Sequence, residues 1–470
     1  MQGAGKCDHE LEWTMYIAEL KVSGVRGFSG RRNVDLRLTR PDGSHAGWTV
    51  LAGRNGSGKT TLLRALALAT AGPSVARGLV PSFDGWISEG FSKAVVEAKI
   101  IDGNRKRWSG ERPGDGSFPA RLTWTREPID DPEDEDYELQ PILRGHGDAA
   151  LYGPWADNPR GWFLVGYGPF RRLVGGSADA QRLMSSTGPV SRLASLFHED
   201  ASLAESVSWL IDLHLRRLEG RSSSASLLSF VTDLLNDGLL PDGFQVERVD
   251  SEGLWAKRDG QTIPLRELSD GYRTVTALVL DLVRQMNQMF LKQIHSLAFE
   301  REHFQSSGDP KHKPVIDIPG VVLIDEIDVH LHVSWQKKIG GWLKSHFPGI
   351  QFIVTSHSPY ICQSADPGGL IRLAGLDEDV PPRVVDEDLY ERVVYGSGDD
   401  ALLTDLFGMD SPYSDHAEEM RRRLARLERA VLHGRATPEE VREYERLRET
   451  LTSSLTARVD EVAARIAENP

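Results

Sequence analysis

Cysteine is almost absent: Cys7 and Cys362 are the only two in 470 residues. That excludes a disulfide framework and a cysteine-built zinc site, and it fits a reducing cytoplasm. Long apolar runs are missing too. No stretch of 18 apolar residues occurs, and the best candidate, residues 274–290, contains Asp281 and Arg284. It reads as a buried helix, so no membrane association is expected. Nor is there an excess of positive charge: 69 acidic residues against 55 Lys and Arg give a formal net charge of −14. A surface that coats nucleic acid along its length is basic. Any nucleic-acid contact is therefore a local patch or belongs to a partner. The N-terminus has no basic-then-apolar signal. Residues 1–14 read as a disordered polar extension, with Met15 a candidate start.

What is present is ordinary for a globular chain: 40% hydrophobic and 26% charged residues. The length allows two or three folding units. Residues 15–22 alternate apolar and polar and read as an edge strand. Residues 48–52 form a short apolar strand that runs into a glycine-rich loop. An Ala/Leu-rich helix follows and stops at Gly72-Pro73. Residues 74–160 read as largely irregular, with strands at 94–101 and 120–124 and a solvated acidic loop at 130–136. An apolar strand at 162–166 leads into Tyr167-Gly168-Pro169.

Leu203, Val207, Leu210 and Leu213 recur at helical spacing within a helical insertion. Residues 244–249 and 254–257 suggest a hairpin, and part of the polar stretch 291–318, which contains Gly308-Asp309-Pro310, suggests a mobile loop. The apolar runs 321–324 and 352–354 fit a parallel sheet buried on both faces. Near the C-terminus, Thr437-Pro438-Glu439-Glu440 is a capping box with proline at the first helical position. The expected organisation is an extension at 1–14, one lobe at 15–180, a helical insertion at 181–240, a second lobe at 241–400 and a helical hairpin at 401–470. The hairpin either packs on the core or serves as a partner-binding arm.

Gly53-Arg54-Asn55-Gly56-Ser57-Gly58-Lys59-Thr60 fits G-x-x-x-x-G-K-[ST] and lies between a strand and a helix, the context that motif requires. Its glycines let backbone N–H groups wrap phosphates, and the helix points its positive end at them. Lys59 is placed for the β- and γ-phosphates and Thr60 for Mg2+. The apolar strand 321–324 ends in Asp325-Glu326, at the carboxyl end of a strand where ligands sit in open α/β sheets. Asp325 is the second expected magnesium ligand, and Glu326 is placed to polarise an attacking water. Leu268-Ser269-Asp270-Gly271-Tyr272-Arg273 precedes an apolar helix and offers an anion-binding helix tip. His357 ends the strand after Glu326. Asp328, His330 and His332 admit a metal reading, but a loop across a dimer interface explains them better.

These four strings, in this order, resemble the ABC-type ATPases of the SMC/RecF/OLD-like branch. Gly53 to Thr60 matches Walker A, and Val321 to Glu326 matches Walker B. Ser269-Asp270-Gly271 matches the signature, with Asp270 in place of its first glycine. Asp328 matches the D-loop, His357 the switch histidine, and Val25-Arg26-Gly27-Phe28 the branch's N-terminal arginine motif. The resemblance covers about residues 15–375. It implies an α/β P-loop ATPase head, a mixed central sheet flanked by helices, with the helical insertion and C-terminal hairpin added. Its implied cofactors are ATP and Mg2+. Its implied nucleotide-binding set is Arg26, Asn55, Gly56, Ser57, Gly58, Lys59, Thr60, Thr61, Ser269, Asp270, Gly271 and Asp328, with Glu326 and His357 catalytic and Thr60 and Asp325 on the metal.

The resemblance also implies a homodimer in which Ser269 of one head caps ATP held by Lys59 of the other. The family's Q-loop glutamine is missing from the equivalent segment, residues 163–172. That segment, with Leu-Ser-Asp-Gly-Tyr-Arg and residues 331–336, is similar to the stand-alone ATPases of bacterial anti-phage systems such as Septu, which work with a separate nuclease. No nuclease motif stands out in this chain. The expected role is a sensor or regulatory ATPase with a separate effector. The alternative is a DNA-repair or chromosome-handling ATPase using basic clusters at Arg171 and Arg172, Arg216 and Arg217, or residues 421–423. A transporter motor subunit is the weakest reading.

Overall fold

The structure, a computed structural model, describes residues 15–102, 117–128, 139–151, 153–156, 162–172, 177–185, 188–306, 313–409 and 411–451. The expectations for residues 1–14, 130–136 and the stretch after 451 lie outside them. The chain divides into two compact units, one ending at Ala401 and one starting at Leu402.

The first unit carries three sheets. One is antiparallel, in the order β2-β1-β4-β5-β6, built from β1 (Met15–Ser23), β2 (Val34–Arg37), β4 (Lys93–Asp102), β5 (Ser117–Pro128) and β6 (Leu139–His146). The second is mainly parallel, in the order β14-β13-β3-β12-β11-β7. It uses β3 (Trp48–Ala52), β7 (Leu164–Tyr167), β11 (Gly320–Ile324), β12 (Ile350–Ser356), β13 (Leu370–Arg372) and β14 (Arg383–Val384), with only β14 antiparallel. The third is a small meander of β8 (Gln245–Asp250), β9 (Gly253–Arg258) and β10 (Gln261–Pro264).

Every residue of β3, β11 and β12 is buried, which is why these strands read as continuous apolar runs. Parallel pairing aligns their carboxyl ends: Ala52 faces Ser356, and Ile324 faces Val354. The P-loop, Asp325-Glu326 and His357 follow directly from those ends. The P-loop helix (Lys59–Ala71) packs between the two large sheets, contacting β4 and β5 on one side and β12 on the other. Gln351 stitches the sheets together. Its side-chain oxygen accepts from Ile17 N at 2.8 Å, and its amide donates to Ile17 O and Leu38 O at 3.0 Å.

Several expectations are corrected. β1 is not an edge strand, because it pairs with β2 on one side and β4 on the other. Alternation reports a half-buried face and says nothing about the number of neighbours. The region 74–160 holds a long ladder in which Ala94, Val96, Ala98 and Ile100 pair with Trp124, Leu122, Ala120 and Phe118 on one buried face of the sheet. β6 escaped notice because Pro141 and Gly145 interrupt its pattern. The hairpin gains β10 as a third strand. The polar stretch after 290 opens as a helix (Leu291–Ser306), while the Gly308-Asp309-Pro310 part expected as a loop lies outside the described residues. Ile294 and Ala298, four apart, are buried on that helix, and Arg301 pairs with Asp233 at 3.1 Å.

Helices Ala178–Ser185, Pro189–Phe197, Ala204–Leu218 and Ser222–Asn236 lie between β7 and β8. The second unit contains a helical pair, Asp415–Leu432 and Pro438–Thr450, with Leu427 and Leu447 buried. Ser414 caps the first helix, and the Thr437/Glu440 capping box is formed on the second.

Candidate nucleotide-binding site

The P-loop follows the end of β3 with left-handed backbone at Gly58 (φ 95°), where a side chain is strained. A Cβ there would also sit 2.7 Å from the Phe28 ring. Lys59 is 6% exposed, and its Nζ donates to Gly53 O at 2.9 Å and Arg54 O at 3.0 Å. Burial lowers its pKa to about 8, against the pull of Glu326, Asp325 and Asp328. The buried Ser57 hydroxyl has no protein partner, while Asn55 and Gly56 are exposed.

Asp325 is 2% exposed, and its Oδ1 accepts from Thr355 Oγ1 at 2.6 Å and Thr60 Oγ1 at 3.1 Å. Thr355 is the penultimate residue of β12, so neighbouring strand ends join Walker A to Walker B. Sequence reading passed over Thr355 in favour of the histidine two residues on. Glu326 adopts φ 45°, and its N–H donates to Thr355 Oγ1 at 2.7 Å. Its pKa is raised by burial and then by Asp325 and Asp328. His357 is held below its usual value by burial and then by Lys59. Ser356 Oγ donates to Asp328 Oδ1 at 2.6 Å, fixing the loop after Glu326. Lys59, Thr60, Asp325, Glu326, Asp328 and His357 thus share one electrostatic neighbourhood.

The donor set suits a nucleotide with Mg2+. A threonine hydroxyl and a buried carboxylate share one corner, a lysine lies in a loop of backbone amides, and an unpartnered serine hydroxyl stands in that loop. The other metal reading fails: among the described residues, no group of three His, Cys, Asp or Glu could hold a metal. His332 instead caps the short helix that follows it, accepting from Ser334 N.

Ser269 lies outside this network. It is the exposed N-cap of a long helix (Asp270–Met289), and its side chain caps nothing. Asp270 is exposed and ion-paired with Arg273. Gly271 is required by packing, since a Cβ would lie 2.6 Å from His330 O. A cavity of about 260 Å³ adjoins this tip, lined by Asp270, Arg273 and His330 together with Phe170, Arg171 and Arg172. Arg26, at φ 48°, rests its guanidinium 4.8 Å over Trp86; burial and then Arg64 lower its pKa.

Sequence reading missed the role of Arg171. Offered as part of a basic patch, it is 2% exposed. Its Nη1 donates to Gly168 O at 2.9 Å and Asp325 O at 3.0 Å, and its Nη2 to Glu326 O at 3.2 Å and Ile327 O at 3.3 Å. Burial lowers its pKa to about 10, against the pull of Asp328, Asp325 and Glu326. The other basic clusters are largely neutralised: Arg216 pairs with Asp212 at 2.9 Å, Arg422 with Glu418 at 3.1 Å and Arg423 with Glu443 at 2.8 Å. Among the described residues, no helix is long and apolar enough to cross a membrane.

A glycine loop on a helix tip, a Thr–Asp pair at its foot and a carboxylate and histidine at adjacent strand ends define the class: a P-loop ATPase domain. Two sequence families agree, one described as "AAA domain, putative AbiEii toxin, Type IV TA system" over residues 215–363 and one as "AAA domain" over 19–132. Among individual proteins, the chain is similar to the Septu protein PtuA of Bacillus mycoides (strain KBAB4). They share 25% identity over 336 residues, 71% of this chain and 37% of that one. It is also 35% identical to the Retron Ec83 probable ATPase of Escherichia coli over 109 residues, 23% of this chain and 17% of that one.

The chain therefore spans well under half the length of either relative. The resemblance to Septu-type ATPases read from the motifs is borne out. The Smc head domain from Pyrococcus furiosus, solved with the C-terminal domain of ScpA, superposes with a TM-score of 0.40 at 16% identity, covering 79% of this chain and 96% of that one.

Proposed function

We propose that the chain binds and hydrolyses ATP with Mg2+ at a site completed by a second copy, and that it serves as the regulatory ATPase of an anti-phage defence complex. The observation that carries the reading is the contrast between a nearly closed Walker A/Walker B network and a signature serine left exposed and uncapped at a helix tip. The P-loop amides and Lys59 hold the phosphates, with Asn55, Gly56, Ser57, Gly58 and Thr61 shaping the cradle and Arg26 at its edge. Thr60 and Asp325 would hold the Mg2+, which would supply charge neutralisation for the phosphates. Glu326, its proton affinity raised, orients and deprotonates the attacking water. His357, kept largely neutral, offers a hydrogen bond at the γ-phosphate end. From the second copy, Ser269 and the N–H groups at the tip beside Asp270 and Gly271 close over that end, and Asp328 orders the loop between the sites.

Similarity to Septu protein PtuA supports the defence role and a separate effector, a nuclease being the expected kind. The helical insertion (181–240) or the C-terminal hairpin (401–470) is the contact we assign to it. Direct DNA handling is disfavoured, because Arg171 is internal and several other candidate arginines are ion-paired.

Glu326→Gln keeps the nucleotide site but removes the base. With saturating ATP it forms a stable dimer by size-exclusion chromatography with light scattering. A variant that stays monomeric, or dissociates as fast as wild type, overturns the reading.

A further inference from the structure

We infer that Arg171 is a positioning residue for hydrolysis: it holds the turn that carries Glu326 at the end of the Walker B strand. The inference rests on the ATPase reading above.

The geometry is specific. Asp325, Glu326 and Ile327 leave β11 at a sharp turn, in which Glu326 takes a left-handed conformation that non-glycine residues rarely adopt. A strained backbone persists only where its surroundings over-determine it. Thr355 Oγ1 holds the Glu326 N–H, and Arg171 holds the carbonyls of Asp325, Glu326 and Ile327. The same guanidinium donates to Gly168 O, three residues back in its own segment, which fixes the fork relative to β7. β7 in turn pairs with β11, with Tyr167 opposite Ile324. Arg171 therefore ties the turn after β7 to the turn after β11, and both approach the nucleotide from the same edge of the sheet.

The choice of residue type follows. A planar fork with five donors can serve four carbonyls at once, and neither glutamine nor lysine can. The guanidinium also sits among Asp325, Glu326 and Asp328, so three carboxylates crowd into one corner around a fixed cation. A surface role for Arg171 is excluded by its burial. Among the described residues its hydrogen bonds go to backbone carbonyls, so it acts on the chemistry through the turn that carries Glu326.

The test compares full-length Arg171→Met and Arg171→Lys with wild type and with Glu326→Gln. Binding of a fluorescent ATP analogue in EDTA is measured beside steady-state hydrolysis and thermal melting. A displaced catalytic group costs on the order of 100-fold. Arg171→Met is expected to lose about that in kcat, with KM and analogue affinity held within about threefold. Arg171→Lys, with one cation and fewer reachable carbonyls, recovers about tenfold of the loss. The melting temperatures of the two variants stay close to each other, which separates positioning from general destabilisation.

Unchanged kcat in a folded Arg171→Met protein overturns the inference. So does a parallel loss of analogue binding, or equal activity of the Met and Lys variants. If wild type hydrolyses ATP and Glu326→Gln does not, such results count against Arg171 alone. If wild type itself is inactive, the ATPase reading fails first.

Discussion

Two halves of the candidate site are built on opposite terms. Around Asp325, buried at the end of β11, the hydroxyls of Thr60 and Thr355 donate to its carboxylate, and buried Lys59 donates to the carbonyls of Gly53 and Arg54 in its own loop. Around Ser269 and Asp270 the helix tip is exposed and its N-cap side chain is idle. A serine cap is usually worth about 1 kcal/mol, and here that hydrogen bond is not made, so the Ser269 hydroxyl is left available to an outside group. The closed half belongs to one chain. On the proposed reading, the open half is completed by a second copy, whose triphosphate carries the charge that a helix N-terminus favours.

The sharpest way to break this contrast is to damage the closed half. Lys59→Ala removes the buried cation of the loop, and hydrolysis is expected to fall about 1,000-fold or more, with weaker nucleotide binding. Retained turnover in a coupled phosphate-release assay would place catalysis elsewhere.

Damage to the open half should look different. Ser269→Arg puts a long cation on an exposed tip, so folding is unaffected. Hydrolysis is expected to fall about 100-fold while a monomer still binds nucleotide at low protein concentration. If fluorescence titration shows nucleotide affinity lost as completely as with Lys59→Ala, the two regions are not distinct in the way described.

A smaller effect marks the boundary of the comparison. Asp366 accepts from Arg40 Nη2, Lys344 Nζ and Gly47 N, each at 2.8 Å. Burial pushes its pKa up, but Lys344 and Arg40 outweigh that and hold it below 3.8. A carboxylate with a depressed folded-state pKa stabilises the fold above its unfolded value, and that contribution is lost as pH falls through the folded one. Asp366→Asn is expected to cost about 2 kcal/mol at pH 7 by urea denaturation, with the gap closing below about pH 3.8. Hydrolysis per folded molecule stays unchanged. A gap that does not vary with pH would show that the ion pairs are not its source.

Much of the closed half was legible from the sequence because its chemistry is local. Glycine spacing, a lysine at a helix start and acids after four apolar residues all lie within a few positions of one another. The second strand of evidence, His357, also sits at a strand end that its own apolar run announces. What stayed hidden depends on contacts across the chain. Arg171 looked like half of a surface basic pair, since nothing in Phe170-Arg171-Arg172 says which arginine turns inward. Thr355 read as one more strand residue until β12 was placed beside β11. Gln351, a polar residue inside an apolar strand, gives no hint that it bonds to β1 more than 300 positions away. β6 and β10 were missed because proline and glycine break the alternation that reveals a strand.

Mixing the two damaged proteins tests the central claim most directly. In a head-to-tail dimer of Lys59→Ala with Ser269→Arg, one composite site carries both defects and the other carries neither. Equal mixing gives half mixed dimers with one sound site each, so hydrolysis should recover to about a quarter of the wild-type rate. A mixture no more active than its separate components would contradict a site shared between two copies.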